Sequence, residues 1–366
     1  MKGPYAEELE VAISVLQATA KLSQHILSLK KLKNKGTVQK EDLSPVTVAD
    51  FAIQGLLSTT FRRAFPADGV VGEESASQLR KDLILLENVY ELVRMVAGDD
   101  DEEELFADVD KKVSVPGSRE EMCNLIDECG ASVPSAKGRT WVFDPIDGTK
   151  TYVRGELYAI NVALLVDGKQ VLGAVACPNM SINAETPLRN ADISNSGCIA
   201  YAIKDQGAYV RPLEGNAEPR KLEQHKSNLA LSDVRFVTCA TLNDSALDGV
   251  HETIAQKFDV PFPGCDLLPW VSRWVALAMG LGNTTVWVYR KRDRLAKVWD
   301  HAGAMLLFEE TGGKITDING KAIDLVAGRK MAANRGFVAA PGELHEKVLT
   351  AVHEVLKEMG HEEYLH

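Results

Sequence analysis

The sequence predicts a mixed α/β protein in which helices and sheets are stacked in layers. Three observations along its 366 residues lead to this fold class. Apolar residues at helical spacing fill much of residues 7–97, strand patterns dominate from Trp141 to Tyr209, and both patterns alternate after that. With 45% hydrophobic and 25% charged residues, the chain has ordinary globular composition and can bury a substantial core.

The N-terminal part of the chain is predicted to hold three helices and one short strand. The helices are indicated by apolar residues that recur every three or four positions, and the strand by a short apolar run. In chain order these elements are a helix from about Glu7 to Leu32, a helix from about Thr47, the strand Gly69–Gly72 and a helix over residues 80–97. A polar stretch with no predicted structure then extends to about Gly138.

From Trp141 onward the pattern changes to strands. A short strand, Trp141–Phe143, ends at an Asp-Pro pair. Two further apolar runs, Tyr158–Val166 and Val171–Ala176, flank Asp167-Gly168-Lys169, which is typical of a hairpin turn. Residues 179–196 are rich in Asn, Ser, Pro and Asp and have no period, so they are predicted to be a linker.

The linker divides the chain into two predicted lobes, residues 1–178 and residues 197–366. The second lobe is expected to combine strands and helices. Its predicted elements are strands within Gly197–Tyr209, a buried helix over Leu267–Gly280, a strand over Thr284–Tyr289 and a helix over His301–Thr311.

The charge balance limits the kind of ligand. The chain carries 41 basic and 52 acidic residues, for a formal net charge of −11. Long nucleic acids are bound through lysine and arginine at their phosphates, so the excess of acid argues against a nucleic acid polymer as partner. A small phosphorylated ligand stays compatible with this charge, because bound cations can supply the positive counterpart.

Cysteine usage and apolar patterning predict a cytoplasmic protein. The six cysteines are scattered and form no Cys-x-x-Cys pair, which fits a reducing compartment and disfavours zinc ribbons. Met1-Lys2-Gly3-Pro4 lacks the apolar region of a signal peptide. The most apolar stretch, Leu267–Val288, is interrupted by polar residues and does not suit a membrane span. We expect a monomer without a membrane partner.

The strongest local sign of chemistry is the run Asp-Pro-Ile-Asp-Gly-Thr at residues 144–149. Pro145 biases the first carboxylate residue toward extended backbone and fixes its own φ, so the run bends. Such a bend can offer two carboxylates and the Ile146 carbonyl to a hard cation such as Mg²⁺. Gly148 permits close approach of the backbone to a ligand, and Thr149 can open a helix whose free N–H groups suit a phosphate. The alternative is a β-turn with helix-capping Asp and Thr.

Other candidate residues are ambiguous when taken singly. Glu73-Glu74 follow a predicted strand and are either metal ligands or a solvated turn. Asp50, taken alone, is interpreted as a polar residue on a helix face. Asp300 precedes an apolar helical run, where Asp is usually an N-cap. The neighbouring His301 is either a ligand or a buried histidine with a satisfied hydrogen bond.

Two conspicuous features are expected to be structural. Residues 99–104 form an unbroken acidic run, and consecutive charges without fixed geometry are usually a solvated loop rather than a metal site. Trp270, Trp274 and Trp287 either stack on a base or pack in the core.

Five segments, taken in order, carry a resemblance to a known family. They are Ser44–Asp50, Val71–Ser75, Gly138–Lys150, Arg154–Glu156 and Trp299–His301. Together they resemble the inositol-monophosphatase-like, lithium-sensitive phosphatase superfamily, and within it the 3′(2′),5′-bisphosphate nucleotidase branch. The segments span nearly the whole chain, which makes the resemblance specific.

The resemblance implies a layered αβαβα sandwich of the inositol monophosphatase type and a metal-dependent phosphatase. It implies two or three Mg²⁺ ions that polarise phosphoryl oxygens and activate a water. The implied metal ligands are Glu73, Asp144, the Ile146 carbonyl, Asp147 and Asp300. Asp50 and Thr149 are implied to activate the attacking water, the Gly148 and Thr149 amides to hold the phosphate, and Asp300 also to contact the substrate.

The sequence departs from the nucleotidase pattern where substrate contacts are expected. That branch tends to have Ser-x-x-Lys before the buried helix and Arg on the next strand. Counted back from Asp300 without gaps, these positions are Trp270, Arg273 and Trp287 here. Only Arg273 keeps the charge, and we expect it to pair with a second phosphate while Trp270 or Trp287 stacks on adenine; the alternative is a surface arginine and two core tryptophans. The family motif Asp-His-Ala-Ala-Gly also reads Asp-His-Ala-Gly-Ala at residues 300–304.

Three functions fit these residues. The first is hydrolysis of the 3′-phosphate of adenosine 3′,5′-bisphosphate, and of its phosphosulfate analogue. The second is the same chemistry on an inositol polyphosphate or sugar phosphate. The third is a non-catalytic sensor of metal and phosphate, which the presence of every expected acidic ligand disfavours.

Overall fold

The computed structural model describes residues 3–33, 45–97, 106–215, 217–226, 228–242 and 245–365. The acidic run at residues 99–104 lies outside these residues. Described helices are α1 Ala6–Lys33, α2 Pro45–Ala64, α3 Leu83–Met95, α4 Arg119–Ala131, α5 Thr149–Arg154, α6 Val250–Phe258, α7 Trp270–Ala278, α8 Ala304–Glu309 and α9 Leu344–Glu358.

Twelve strands are found in the described part of the chain. They are β1 Gly69–Gly72, β2 Arg139–Asp147, β3 Ala159–Val166, β4 Lys169–Cys177, β5 Cys198–Ile203, β6 Gly207–Pro212, β7 Arg220–Lys221, β8 Val237–Thr238, β9 Cys265–Asp266, β10 Thr285–Trp287, β11 Gly313–Thr316 and β12 Phe337–Pro341.

Strands β1 to β7 form one sheet in the order in which they occur along the chain. β1 runs parallel to β2, and every later neighbour is antiparallel. The predicted hairpin at Asp167-Gly168 is confirmed, since β3 and β4 pair across it. Successive side chains of a strand point to opposite faces, so this sheet has two apolar faces to cover.

Helices α1 to α4 cover one face of the large sheet. Trp141 and Phe143 of β2 point into this layer, and the Trp141 ring stacks on Phe61 of α2 with centroids 4.2 Å apart. α1 also contacts β3 and β4. Burial of these large aromatic groups against helix side chains stabilises this layer.

Helices α7 and α8 cover the opposite face. Val142, the residue between Trp141 and Phe143, belongs to this second core. α8 approaches β3 and β4 closely because both sides have glycine at the contact. A Cβ on Gly303 would lie 2.7 Å from the Val162 carbonyl oxygen, and one on Gly173 would lie 2.2 Å from the Gly303 carbonyl oxygen. Gly303 also has φ 84°, so both its backbone conformation and the close packing favour glycine at this position.

A small sheet and two more helices complete the stack. β10, β12 and β11 form an antiparallel sheet whose inner face, including Trp287 and Phe337, packs on the α7–α8 layer. Its outer face, including Val286 and Val338, packs against α6 and α9. The layers therefore follow one another as α, β, α, β, α, and the predicted layered α/β fold is confirmed.

Some local predictions differ from the structure. Residues 106–138 were expected to lack regular structure, but α4 lies there; Ser118 caps it by accepting from the Glu121 amide, and Met122, Ile126 and Cys129 form its buried stripe. The expected helix from His301 begins instead at Ala304.

The segment 179–196 has no helix or named strand, yet its two flanking strands, β4 and β5, are direct neighbours in the large sheet. The division into lobes 1–178 and 197–366 stays a prediction, and the sheet places β5 to β7 beside strands of the first lobe. No helix among the described residues has the length and apolar character needed to cross a bilayer.

Candidate active site

The end of β2 brings two carboxylates together. Asp144 pairs with Asn161 of β3 and Asp147 pairs with Ala159, so the ladder shifts register between them. Residues three apart in a regular strand point to opposite faces, but a bulge re-aims the chain. The predicted strand end at Asp144 is thus wrong by three residues, and the bulge is what lets both carboxylates face one site.

Asp300 joins this pair from a distant part of the chain. It ends a 3₁₀ turn, Val298–Asp300, and makes no capping hydrogen bond, so the N-cap interpretation is wrong. One carboxylate oxygen from each of Asp144, Asp147 and Asp300 lies within 4.8 Å of the others. Asn161 holds the turn in place by donating from Nδ2 to the Trp299 and Ala302 carbonyls at 2.6 and 2.7 Å. Asn161 was not predicted from the sequence.

Glu73 and Glu74 approach the cluster from the end of β1. Gln54 of α2 fixes this segment, since its Nε2 donates to the Glu74 carbonyl at 2.7 Å and its Oε1 accepts from the Glu74 amide at 2.8 Å. Asp50 lies one helical turn before Gln54 and is almost fully buried. The Lys297 ammonium lies 2.7 Å from Glu73 Oε1.

Arg329 also holds the Glu73 segment and was missed by the sequence analysis. Its Nη2 donates to the Gly72 and Glu73 carbonyls at 2.7 and 3.1 Å. Its Nη1 donates to the Cys129 and Ser132 carbonyls at the end of α4. Its guanidinium lies 4.6 Å from the centroid of the Trp299 ring, next to Asp300. One side chain therefore joins β1, α4 and the turn that carries Asp300.

Burial and like charges raise the pKa values of these acids. Burial is the largest cause of the raised pKa of Asp144, followed by the charges of Glu73, Asp147 and Asp300. Burial also raises the pKa of Asp50, with added repulsion from Glu74 and Glu73. The pKa of Glu74 and that of Asp300 rise to about 7, with burial first and the Glu73 charge second. A carboxylate cluster of this kind is costly to ionise without a compensating cation.

The donor set fits a hard divalent cation. Asp144 Oδ1 is buried and has no hydrogen-bond partner in the part of the chain that the structure describes, although a buried carboxylate oxygen is normally paired. The clustered groups are all oxygen donors, which Mg²⁺ prefers over nitrogen or sulfur. Asp147 is oriented by the start of α7, because its Oδ2 accepts from the Val271 amide and its charge is also stabilised by the Trp270 amide.

The Gly148–Thr149 turn follows the cluster directly. Gly148 has φ 89°, and a Cβ there would lie 2.5 Å from Pro269 Cγ, so both conformation and space require glycine. Thr149 begins α5, and Thr151 secures the turn by donating to the Gly148 carbonyl at 2.7 Å. Ile146 is buried, with its side chain in the core that includes α1 and α2.

Arg273 is buried between two tryptophans. Its guanidinium carbon lies 4.0 Å from the Trp270 ring centroid and 4.5 Å from that of Trp287. It donates to the Leu267 and Leu268 carbonyls, while Nη1 has no partner among the described residues. The alternative that Arg273 is a surface charge is wrong, since only 2% of the residue is exposed. Trp287 is equally buried, whereas Trp270 is partly exposed.

His301 fits the structural interpretation rather than the ligand one. It is fully buried, and its Nδ1 accepts from Trp274 Nε1 at 3.1 Å, whereas its Nε2 has no hydrogen-bond partner among the described residues. Burial lowers its pKa far below the ordinary histidine value, with Arg273 as the second cause. Trp274 is also fully buried, so it belongs to the core.

Similar proteins were found by sequence. The profile of the inositol monophosphatase family matches residues 5–357. A 3′(2′),5′-bisphosphate nucleotidase of Emericella nidulans is 36% identical, and the alignment covers 96% of this chain and 99% of that protein. The 3′,5′-bisphosphate nucleotidase 2 of Arabidopsis thaliana is 33% identical, and the alignment covers 97% of this chain and 98% of that protein.

Solved structures share the fold. Inositol monophosphatase II of Staphylococcus aureus MSSA476 superposes with a TM-score of 0.58 at 16% identity, covering 98% of both chains. The 2′AMP-bound SaIMPase-II gives a TM-score of 0.56 at 15% identity, again with 98% of both chains. These likenesses concern the fold alone. The family profile and the full-length relatives together show that the chain belongs to the inositol monophosphatase family.

Proposed function

We propose that this protein is a Mg²⁺-dependent phosphomonoesterase that removes the 3′-phosphate of adenosine 3′,5′-bisphosphate, and that it also accepts the phosphosulfate analogue. The observation that carries the phosphatase chemistry is the cluster of Asp144, Asp147 and Asp300 oxygens within 4.8 Å, beside the Gly148–Thr149 turn. The substrate is supported by the names of full-length relatives that are 32–36% identical.

Five groups are proposed to hold the metal. They are Glu73, Asp144, the Ile146 carbonyl, Asp147 and Asp300. Bound Mg²⁺ would supply Lewis-acid polarisation of the phosphoryl oxygens and a lowered pKa for a coordinated water. Asp144 Oδ1 supports this assignment, since a cation would satisfy a buried oxygen to which none of the described residues donates a hydrogen bond.

Asp50 and Thr149 are proposed to orient the attacking water and take up its proton. The pKa of Asp50 is raised by burial and by the neighbouring glutamates, which brings it toward the range where a carboxylate accepts a proton efficiently. The Thr149 hydroxyl can accept from the water and donate to a carboxylate in one arrangement. No covalent phosphoenzyme is needed for this chemistry.

The scissile phosphate is proposed to lie against the Gly148 and Thr149 amides. Gly148 supports this role because only glycine allows the turn that carries these amides, with φ 89° and close packing against Pro269. Asp300 is proposed to contact the substrate as well as the metal. Arg273 as a partner of the second phosphate stays a prediction. Its unpartnered Nη1 is compatible with that role, and its burial between tryptophans equally suits holding Trp270 in place.

Release of inorganic phosphate from a small panel of substrates tests the proposal. The panel contains adenosine 3′,5′-bisphosphate, its phosphosulfate analogue, inositol bisphosphates and a sugar bisphosphate, each with Mg²⁺ or with excess chelator. We expect the highest kcat/KM for the adenosine substrates, and we expect hydrolysis to stop in excess chelator. Preference for an inositol or sugar phosphate would replace the substrate, and binding of Mg²⁺ without hydrolysis of any compound would indicate a sensor.

A further inference from the structure

A pocket of about 430 Å³ adjoins the acidic cluster. Asp300 belongs to both, so the pocket continues directly from the proposed metal site. Its wall is formed mainly by residues 289–297, which connect β10 to the turn that carries Asp300, together with Trp270 at the start of α7. A substrate whose scissile phosphate lies at the cluster can extend into this space.

The pocket wall is basic although the protein is acidic. Residues 290–297 carry five basic side chains and one acidic side chain, in a chain of net charge −11. Arg290 pairs with Asp248, and Lys297 pairs with Glu73. Lys291 and Arg294 line the pocket, are exposed, and have no carboxylate of the described residues within ion-pair distance. Asp293 and Asp300 also line the pocket, and the Arg294 charge acts on Asp300. Because neither Lys291 nor Arg294 is held in an ion pair with a described residue, both side chains can bind an anionic group of a ligand.

Trp270 supplies an aromatic surface in the same pocket. It is partly exposed, whereas Trp287 is buried and does not line the pocket. Arg273 lies 4.0 Å from the Trp270 ring centroid and is itself held by two backbone carbonyls, so the indole is firmly supported. The Trp270 ring also packs against other rings, those of Trp274, Trp287, His301 and Phe337. The part of the indole that lines the pocket is the part that can contact a flat ring of the ligand.

We infer that Lys291 and Arg294 bind the second, non-scissile phosphate of a nucleoside bisphosphate, and that Trp270 contacts its base. This inference rests on the proposed function and deepens it. It also assigns the second phosphate to a segment that the sequence analysis did not consider. Guanidinium and ammonium groups both bind phosphate strongly, and arginine can donate two parallel hydrogen bonds to it. Lys291 and Arg294 would add charge where tryptophans, Trp270 and Trp287, stand at the branch's Ser and Arg positions.

The test is a double variant, Lys291→Gln with Arg294→Gln, compared with wild type on two substrates. Adenosine 3′,5′-bisphosphate carries the second phosphate and adenosine 3′-monophosphate lacks it. We expect kcat/KM to fall at least tenfold more for the bisphosphate than for the monophosphate. Arg290→Gln is the matched control, since Arg290 lies in the same segment, is exposed and pairs with Asp248 outside the pocket lining. It should leave the ratio of the two kcat/KM values within about twofold.

A binding measurement separates this inference from the proposed function. Adenosine 5′-monophosphate carries only the second phosphate and the base, and its binding can be followed by calorimetry without turnover. The double variant should weaken it about tenfold or more. The inference is overturned if the double variant loses kcat/KM equally on the bisphosphate and on the 3′-monophosphate. Unchanged binding of adenosine 5′-monophosphate would overturn it as well. If wild type hydrolyses neither nucleotide, the proposed function fails, and the binding measurement still decides for or against Lys291 and Arg294.

Discussion

Arg329 donates from one guanidinium nitrogen to the backbone carbonyls of Glu73 and the preceding glycine, at 3.1 and 2.7 Å. The two residues are 256 positions apart in the chain. The same side chain lies over the Trp299 ring and reaches the end of α4. Arg329 thus sets where the Glu73 carboxylate stands relative to Asp300, although it carries no oxygen that could bind a cation.

Arg329→Lys is expected to weaken Mg²⁺ binding by roughly 10- to 100-fold, the usual range when a group that orients metal ligands is lost. An ammonium cannot reproduce four hydrogen bonds in a fixed plane. Calorimetric titration with Mg²⁺ measures the effect. Arg335→Lys is the matched control, because Arg335 lies in the same part of the chain and its guanidinium donates to the nearby Ala332 and Asn334 carbonyls. Equal Mg²⁺ affinity in both variants would contradict the positioning role.

Asp147→Asn is expected to abolish Mg²⁺ binding and turnover while leaving the metal-free fold intact. The amide oxygen of asparagine can still accept from the Val271 amide, and removal of one charge relieves repulsion with Asp300. The melting temperature in chelator should therefore be unchanged or higher, while the rise on adding Mg²⁺ disappears. Asp205→Asn, on the exposed β5–β6 turn, should keep both activity and the Mg²⁺ response. A fully active Asp147→Asn enzyme would place the site elsewhere.

Thr149→Ala is expected to lower kcat by roughly 10²–10⁴, the range for losing a group that helps proton transfer, while Mg²⁺ affinity changes little. The hydroxyl is proposed to act on the water and lies outside the carboxylate set. Thr149→Ser keeps the hydroxyl and should recover most of the activity. Steady-state kinetics with a parallel Mg²⁺ titration measure both effects. Loss of Mg²⁺ binding in Thr149→Ala would move Thr149 into the metal site.

Gly148→Ala and Gly155→Ala form a matched pair at the two ends of α5. Both glycines have positive φ, 89° and 71°, so alanine costs about 1–2 kcal/mol of unfolding free energy at either position. Only at Gly148 does the new Cβ also collide with the Pro269 ring. We expect a further loss of about 1–3 kcal/mol there and a large fall in kcat/KM. Denaturant unfolding and steady-state kinetics measure these effects. Equal losses of stability and of kcat/KM in both variants would contradict the close packing of Gly148 against Pro269.

The stability of the metal-free protein should fall as the pH rises toward and through 7. The pKa of Glu74 is raised from 4.5 to about 7, and that of Asp300 also to about 7. Between the ordinary and the raised pKa the folded state binds more protons than the unfolded state, so rising pH favours unfolding. Mg²⁺ binds the ionised form and offsets this loss. The increase in melting temperature on adding Mg²⁺ should therefore be larger at pH 8 than at pH 5.5, and an increase that does not depend on pH would contradict the site.

The proposed metal ligands could be picked out from the sequence because they lie in short local motifs. Asp144 and Asp147 follow a strand with a proline between them, and Asp300 stands between Trp299 and His301 in a recognisable triplet. The αβαβα layering was expected from the family resemblance, and the order of local patterns agreed with it. Periodicity also predicted most elements correctly, since buried faces impose a spacing that can be read locally.

The groups that orient these ligands could not be found in the same way. Arg329 and Asn161 hold Glu73 and the Asp300 turn through hydrogen bonds to backbone carbonyls. Every residue has a backbone carbonyl, so the residue type does not reveal which one accepts such a bond. α4 was missed although Met122, Ile126 and Cys129 have helical spacing, because its many charges masked that spacing.

By itself, the sequence determined the family, the layered fold class and the acidic residues of the candidate site, because each depends on local residue types in a fixed order. Only the tertiary structure decided that Arg273 is enclosed by Trp270 and Trp287 and that Lys291 and Arg294 face the pocket beside Asp300. The burial of a side chain and the accessibility of a charge depend on which distant segments pack together. The local sequence around a residue does not show which segments those are.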